Sequence, residues 1–253
     1  MTKKALAVLI IIITLSQSVF ALNIEQMSDV LVEKLNINRE LTTDVIKQYK
    51  DWRYIDDFYR IPVATALREG IIIPNNKIIS PQSDDISPIL KGLMYYGLKN
   101  PNYSIVSSAY AMQSIGGATV DIDTIVIVGN ECATFGFLTE GIFYNAIVDK
   151  NNKAIVVWKQ KDVKIPTVLR GKLFLKEGSK LILTSLEKSS FDKWTNVANG
   201  KYIEVELGNV NVIQGKRFIY DDELNSNFLD GYVYILGDYT SDNVKPLYVE
   251  VSN

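Results

Sequence analysis

The hydrophobic pattern of the chain changes period once, near Pro101. Before that point, apolar residues recur at three- and four-residue steps. In "LNIEQMSDVLVEKLNI", Leu22, Met27, Val30, Leu31 and Leu35 fall on one face of an amphipathic helix. Thr43 or Asp44 is placed to cap a second helix running to Tyr49. Residues 58–69 predict a third, with Ile61, Ala64, Thr65 and Leu67 inward. Pro62 is tolerated in its first turn, and Gly70 is well placed to end it. In "SPILKGLMYYGL", Ser87 reads as an N-cap and Pro88 as the first helical residue. Ile89, Leu90, Leu93 and Met94 make its apolar stripe, and Gly97 is the expected stop.

After Pro101 the period falls to two. "TVDIDTIVIVGN" alternates through Val120, Ile122, Ile125 and Ile127, with Asp121 and Asp123 on the wet side. "GIFYNAIVDKNNKAIVVW" predicts two strands around an Asp149–Asn152 turn, and "GKLFLKEGSKLILTSLE" a second hairpin turning at Glu177-Gly178. Short strands broken by Gly and Asn suggest small barrels or a sandwich. The stretch from Phe137, "FLTEGIFYNAIVDKNNKAIVV", is echoed from Phe228 by "FLDGYVYILGDYTSDNVKPLYVEV". Both read Phe-Leu, acid, Gly, aromatic strand, polar turn, strand. The expected fold class is α+β multi-domain: a small all-α N-terminal domain followed by all-β barrel- or sandwich-like modules. The expected division is 1–21, 22–101, 102–162 and 163–253.

The first segment has its own logic. Lys3 and Lys4 precede an apolar run from Ala5 to Leu15, and Val19-Phe20-Ala21 offers a small-x-small cleavage site. That is the layout of a secretory signal peptide, and the apolar run is shorter than the ~20 residues that span a bilayer. Cleavage after Ala21 leaves a chain with 25 Lys and Arg against 29 Asp and Glu, a net charge of −4. No basic tract is present to grip nucleic acid. No second apolar segment predicts a membrane span after cleavage.

The chain has no His and one Cys, Cys132. A His general base and His-based metal sites are therefore excluded, as is an intrachain disulfide. Cys132 reads as a small core filler. Asp84-Asp85 and Asp221-Asp222-Glu223 lack the spaced acids of a calcium loop and read as solvated turns. No nucleophile motif appears, so no enzyme, cofactor or metal is expected. Trp158, Trp194, Tyr202, Tyr232, Tyr234 and Tyr239 crowd the β region; packing explains most of them, and stacking on sugar rings is the alternative.

One stretch before Pro101 carries a resemblance. Tyr54 and Asp56 or Asp57 lead into a helix from Tyr59 to Glu69, then Gly70-Ile71-Ile72, a Pro74-Asn75-Asn76-Lys77 turn, Ile79-Ser80-Pro81, and a second helix. This order resembles the S-layer homology (SLH) domain, a cell-wall anchoring module of bacterial surface proteins. The resemblance covers residues 22–98. In that family the second helix opens Ile-Thr-Arg-Ala-Glu; here the segment reads Ile86-Ser87-Pro88-Ile89-Leu90, so Pro88 takes the Arg position. The family packs several copies together, and this chain carries one.

The resemblance implies a secreted, non-catalytic protein of the cell envelope of a Gram-positive-like bacterium. It would dock non-covalently on cell-wall polysaccharide or on a surface-layer protein, with the β-modules as spacer or display units. The cations in or near the matched helices, Arg60, Arg68 and Lys91, are the candidate polymer contacts. The alternative is a soluble secreted binding module whose β-part grips a saccharide or a protein. A lattice subunit would instead self-associate.

Overall fold

The computed structural model describes residues 20–75, 77–160, 167–190, 193–197, 200–208, 210–214, 217–219, 232–240 and 243–251. The predicted signal peptide, apart from Phe20 and Ala21, lies outside them, as do Asp221-Asp222-Glu223 and the start of the second repeat at Phe228. The fold is mostly β, with 43% strand against 25% helix.

Among the described residues, three α-helices follow the predicted periodicity. Helix α1 (Ile24–Lys34) is opened by a capping box: Asn23 Oδ1 accepts from Gln26 N, and Gln26 Oε1 accepts from Asn23 N. Helix α2 (Arg60–Arg68) ends where expected, at Gly70 with φ +72°. There a Cβ would also meet the Tyr95 ring at 2.8 Å. The segment from Asp44 to Gln48 is a 3-10 turn rather than a full α-helix.

Helix α3 (Ser87–Lys99) departs from the prediction at both ends. Ile86 is the N-cap, Ser87 is already helical, and the Asp85 carboxylate accepts from the Ser87 amide and hydroxyl. The helix runs through Gly97, because that glycine serves packing rather than termination. A Cβ there would meet Ile105 Cδ1 at 2.4 Å, so any larger residue would push the Ile105 side chain aside where the helix lies on the sheet. Gly92 plays the same part against the Ile71 carbonyl.

The expected free-standing all-α domain is not borne out. The apolar faces of the helices do not close on themselves. Leu31, Leu67, Leu93 and Ile89 share one core with Ile105, Ile127, Ile147, Val156 and Trp158 of the following sheet. Strand β1 (Phe20–Ala21), ahead of the helices, pairs with β6 (Glu131–Ala133) of that sheet. A thin helical layer cannot bury its own stripe, and the sheet face supplies the missing half.

The first β unit contains β2 (Tyr103–Ala111), β3 (Ser114–Ile115), β4 (Ala118–Thr119), β5 (Ile125–Val128), β6, β7 (Phe143–Asp149) and β8 (Ala154–Lys159). One face meets the helices. The other encloses a second core of Tyr110, Ile115, Val126, Tyr144, Val148 and Val157. The β7–β8 hairpin turns at Asp149–Asn152 as predicted. Residues 120–124 are not strand, although they alternate. Asp121 Oδ1 accepts from Asp123 N and Thr124 Oγ1 donates to Ala154 O, so side chains bend the backbone into a turn and leave Ile122 exposed.

The second β unit contains β9 (Thr167–Glu177), β10 (Lys180–Ser190), β11 (Lys193–Asn196), β12 (Ile203–Glu206), β13 (Asn211–Gln214), β14 (Arg217–Ile219), β15 (Tyr232–Thr240) and β16 (Asn243–Val251). Its pairings close a five-stranded ring: β9 to β10, β10 to β12, β12 to β16, β16 to β15, and β15 back to β9. All are antiparallel except β12–β16. This is a small Greek-key barrel with OB-like strand order. Leu169, Leu173, Leu183, Val205, Val233 and Val249 fill it.

The sequence echo has a structural counterpart. In the first unit, β7 pairs antiparallel with the opening strand β2, and β8 pairs parallel with β5. In the second, β15 pairs antiparallel with the opening strand β9, and β16 pairs parallel with β12. The repeated hairpin thus occupies the same topological place twice.

Candidate functional site

A polar cleft lies where the helical layer meets the first β unit. Four chain segments end there: the turn after α1, the end of α2, the end of α3 leading into β2, and the β7–β8 turn. Between them lies a cleft of about 510 Å³. Asn36, Asn38, Asn100, Asn102 and Asn151 line it, with Tyr96 and Tyr103 as its aromatic walls and Arg68, Glu69, Asp149 and Lys150 as its charges.

Local structure fixes these groups. Tyr103 OH donates to Leu35 O at 2.8 Å, which ties the opening strand of the sheet to the last turn of α1. The Tyr96 and Tyr103 rings lie 5.8 Å apart, tilted by 42°. Asn100 Oδ1 accepts from Asn102 N, and Asp149 Oδ1 accepts from Asn151 N and Lys153 N. Burial pushes both phenols above their ordinary range, with Tyr103 and Glu69 reinforcing the effect at Tyr96 and Asp149 at Tyr103. Both rings therefore stay neutral at any physiological pH. Neutral phenols and primary amides each donate and accept, and this set suits a hydroxyl-rich ligand.

The three predicted cations do not gather at one place. Arg68 lines this cleft, but its guanidinium is bound to Glu40 and, at 2.8 Å, to Glu69. Arg60 sits at the other end of α2, paired with Asp57 at 2.7 Å and stacked over the Trp52 ring at 5.5 Å. Lys91 lines a second cleft of about 430 Å³ beside the start of α3, with Asn75, Ser80, Ser83, Asp85 and Ser87. The hydrogen bonds from Ser87 hold the Asp85 carboxyl below the usual range, with a smaller contribution from Lys91. That cleft thus holds a carboxylate of its own near its cation.

The cleft asparagines escaped sequence reasoning because each is an ordinary turn residue. Their one signal is position. Asn36 and Asn38 follow a helix, Asn100 and Asn102 bracket Pro101, and Asn151 tips a hairpin.

Among the described residues, no group of three or more His, Cys, Asp or Glu is placed to hold a metal ion. Asp121 and Asp123 instead clamp Lys153 at 2.9 and 3.0 Å. Cys132 Sγ lies 3.3 Å from Met27 Sδ, and burial pushes its thiol up to about 12, so the reactive thiolate is disfavoured. No helix among the described residues is long and apolar enough to cross a membrane. No protein-family model, curated protein or solved structure matches the chain.

Proposed function

We propose that this is an exported, non-catalytic protein of the bacterial cell envelope that docks non-covalently on a wall polysaccharide. The helical layer, read as a single degenerate SLH-like unit, provides the docking surface, and the two β units act as spacer and display. The observation that carries this reading is the cleft of five asparagines and two tyrosines. Amides and phenols match sugar hydroxyls as partners, while the half-buried Tyr103 ring, backed by the buried Tyr96, offers an apolar edge to sugar C–H groups. Two further features support it. The first 21 residues read as a signal peptide for export, and the order of sequence motifs between Leu22 and Leu98 resembles the SLH pattern. Arg68 is the cleft cation nearest to the SLH expectation, although Glu40 and Glu69 hold it in place.

The test is a pull-down of residues 22–253 on purified cell-wall sacculi, with and without their acid-extractable polymer. The expected result is pelleting that requires the polymer and drops roughly tenfold in Asn100→Ala/Asn102→Ala. If the polymer is anionic, pelleting weakens as salt screens Lys150. Pelleting that ignores both the polymer and the cleft variant defeats the reading.

A further inference from the structure

The outer wall of the second barrel carries an aromatic pair that packing does not use. Phe174 on β9 and Tyr202, just before β12, are 51% and 60% exposed. Their ring centroids are 4.9 Å apart at 43°, so together they form an open V on the surface. The barrel interior is already filled by Leu173, Leu183, Ile203 and Val205 of β9, β10 and β12. A β-bulge helps to create the pair. Leu175 faces Ile182 and Leu173 faces Leu183, which leaves Phe174 as the extra residue in its strand. Bulges of this kind re-aim side chains and are frequent beside binding sites.

The surroundings of the pair decide what it can hold. Along β12, Ile203 and Val205 point inward, so Tyr202, Glu204 and Glu206 share the outer face, each ~7 Å from the next. Glu204 and Glu206 flank Lys180 at 3.3 and 3.9 Å, and Ser179 Oγ donates to Glu206 at 2.7 Å. Lys172 lies two residues before Phe174 on the exposed side of β9, so with Lys180 it offsets the two carboxylates and leaves the strip no net positive charge to draw a polyanion. The carboxylates are good acceptors for neutral hydroxyl donors. An apolar V followed at residue spacing by acceptors fits a chain with apolar faces and hydroxyl edges. In small Greek-key barrels of this strand order, the face of the second and third strands is the one open to extended ligands.

We propose that the outer face of β9, β10 and β12 is a second saccharide-binding site, specific for a neutral glycan chain. Phe174 and Tyr202 stack on sugar rings, and Glu204 and Glu206 accept from hydroxyls. This site is independent of the asparagine cleft and does not rest on the wall-docking reading.

The test uses residues 22–253 and two probes in titration calorimetry: chitohexaose as the neutral oligosaccharide and hexagalacturonate as the anionic one. The expected result is saturable binding of chitohexaose alone. It becomes roughly tenfold weaker or worse in Phe174→Ala/Tyr202→Ala, weakens in Glu204→Gln/Glu206→Gln, and is unchanged in Asn100→Ala/Asn102→Ala. Thermal melts of each variant check that the fold survives; both aromatic side chains are exposed, so no loss is expected. No chitohexaose binding at millimolar concentration overturns the proposal, as does binding unaffected by the aromatic double variant. Preference for hexagalacturonate also overturns it. So does concentration-dependent self-association abolished by Tyr202→Ala, which would make the pair an interface between copies. Loss of chitohexaose binding in the asparagine variant alone would assign the sugar to the cleft.

Discussion

The two β units share a hairpin in the same topological place, yet they solve the problem of their outer faces differently. The first unit gives one whole sheet face to the helices, through Ile105, Ile127, Ile147, Val156 and the fully buried Trp158. The second closes into a barrel and keeps its core to itself. Among the described residues it meets the helical layer through a compact patch centred on Ile73 and Tyr95 against Val168, Leu236 and Tyr248. That patch is also polar. Tyr95 OH donates to Glu250 at 2.8 Å, Lys99 pairs with the same carboxylate, and Tyr248 OH donates to Arg68 O. One repeated motif is thus welded to its neighbour by apolar area, and the other is latched by a few oriented groups. Closure removes a barrel's need for a partner, and what remains outside is free for display.

The largest test of this contrast is in the cores. Trp158→Ala should cost about 3–5 kcal/mol and weaken helices and first sheet together, since both pack on that ring. Leu183→Ala should cost about 2–5 kcal/mol, centred on the second barrel. Hydrogen exchange on the two variants reads the difference. Equal loss of protection in both halves from either substitution would mean that the chain has one cooperative core.

A second test acts on the latch. Burial holds the Tyr95 and Tyr248 phenols well above their ordinary range, with Glu250 adding to it in both. A raised folded value favours the neutral form in the folded state. Its stabilisation is therefore complete below pH ~10, the unfolded value, and is lost as pH rises above it. Each tyrosine steepens the loss by up to about 1.4 kcal/mol per pH unit. Tyr248→Phe should make stability fall less steeply between pH 10 and 11 in urea titrations, at those approximate values of pH. An unchanged slope would remove Tyr248 from the latch.

The smallest expected effect is at Asn145. This fully buried side chain on β7 makes no hydrogen bond among the described residues. Asn145→Leu should raise stability by roughly 1 kcal/mol, because an unsatisfied buried amide is replaced by an apolar side chain of similar size. A loss instead would point to a bound water or ligand group that the amide serves.

Much of this architecture was legible in the pattern of residues. The four-residue spacing of Met27, Leu31 and Leu35, the Pro62 and Gly70 punctuation of α2, and the turns at Asp149–Asn152 and Glu177-Gly178 are local signals, and each holds in the fold. The misreadings are also physical. Gly97 looks like a helix stop in sequence, but with Gly92 it is a contact point of α3. Ile122 looks like a strand residue, but Asp121 and Thr124 recruit the backbone into a turn.

The sequence by itself determined periods, turns and caps, because these depend on neighbours within a few residues. It also set the chemistry that is absent, since a chain without His has no imidazole to use wherever it folds. Only tertiary structure decided which cations are free and which asparagines meet. Arg68 is spoken for because Glu40 lies beside it in space, and five turn asparagines from Asn36 to Asn151 share one cleft because four segments end at the same seam. Those relations join residues 28 apart in the chain for Glu40 and Arg68 and 115 apart for Asn36 and Asn151, and no local pattern encodes the distance between segments that only packing brings together.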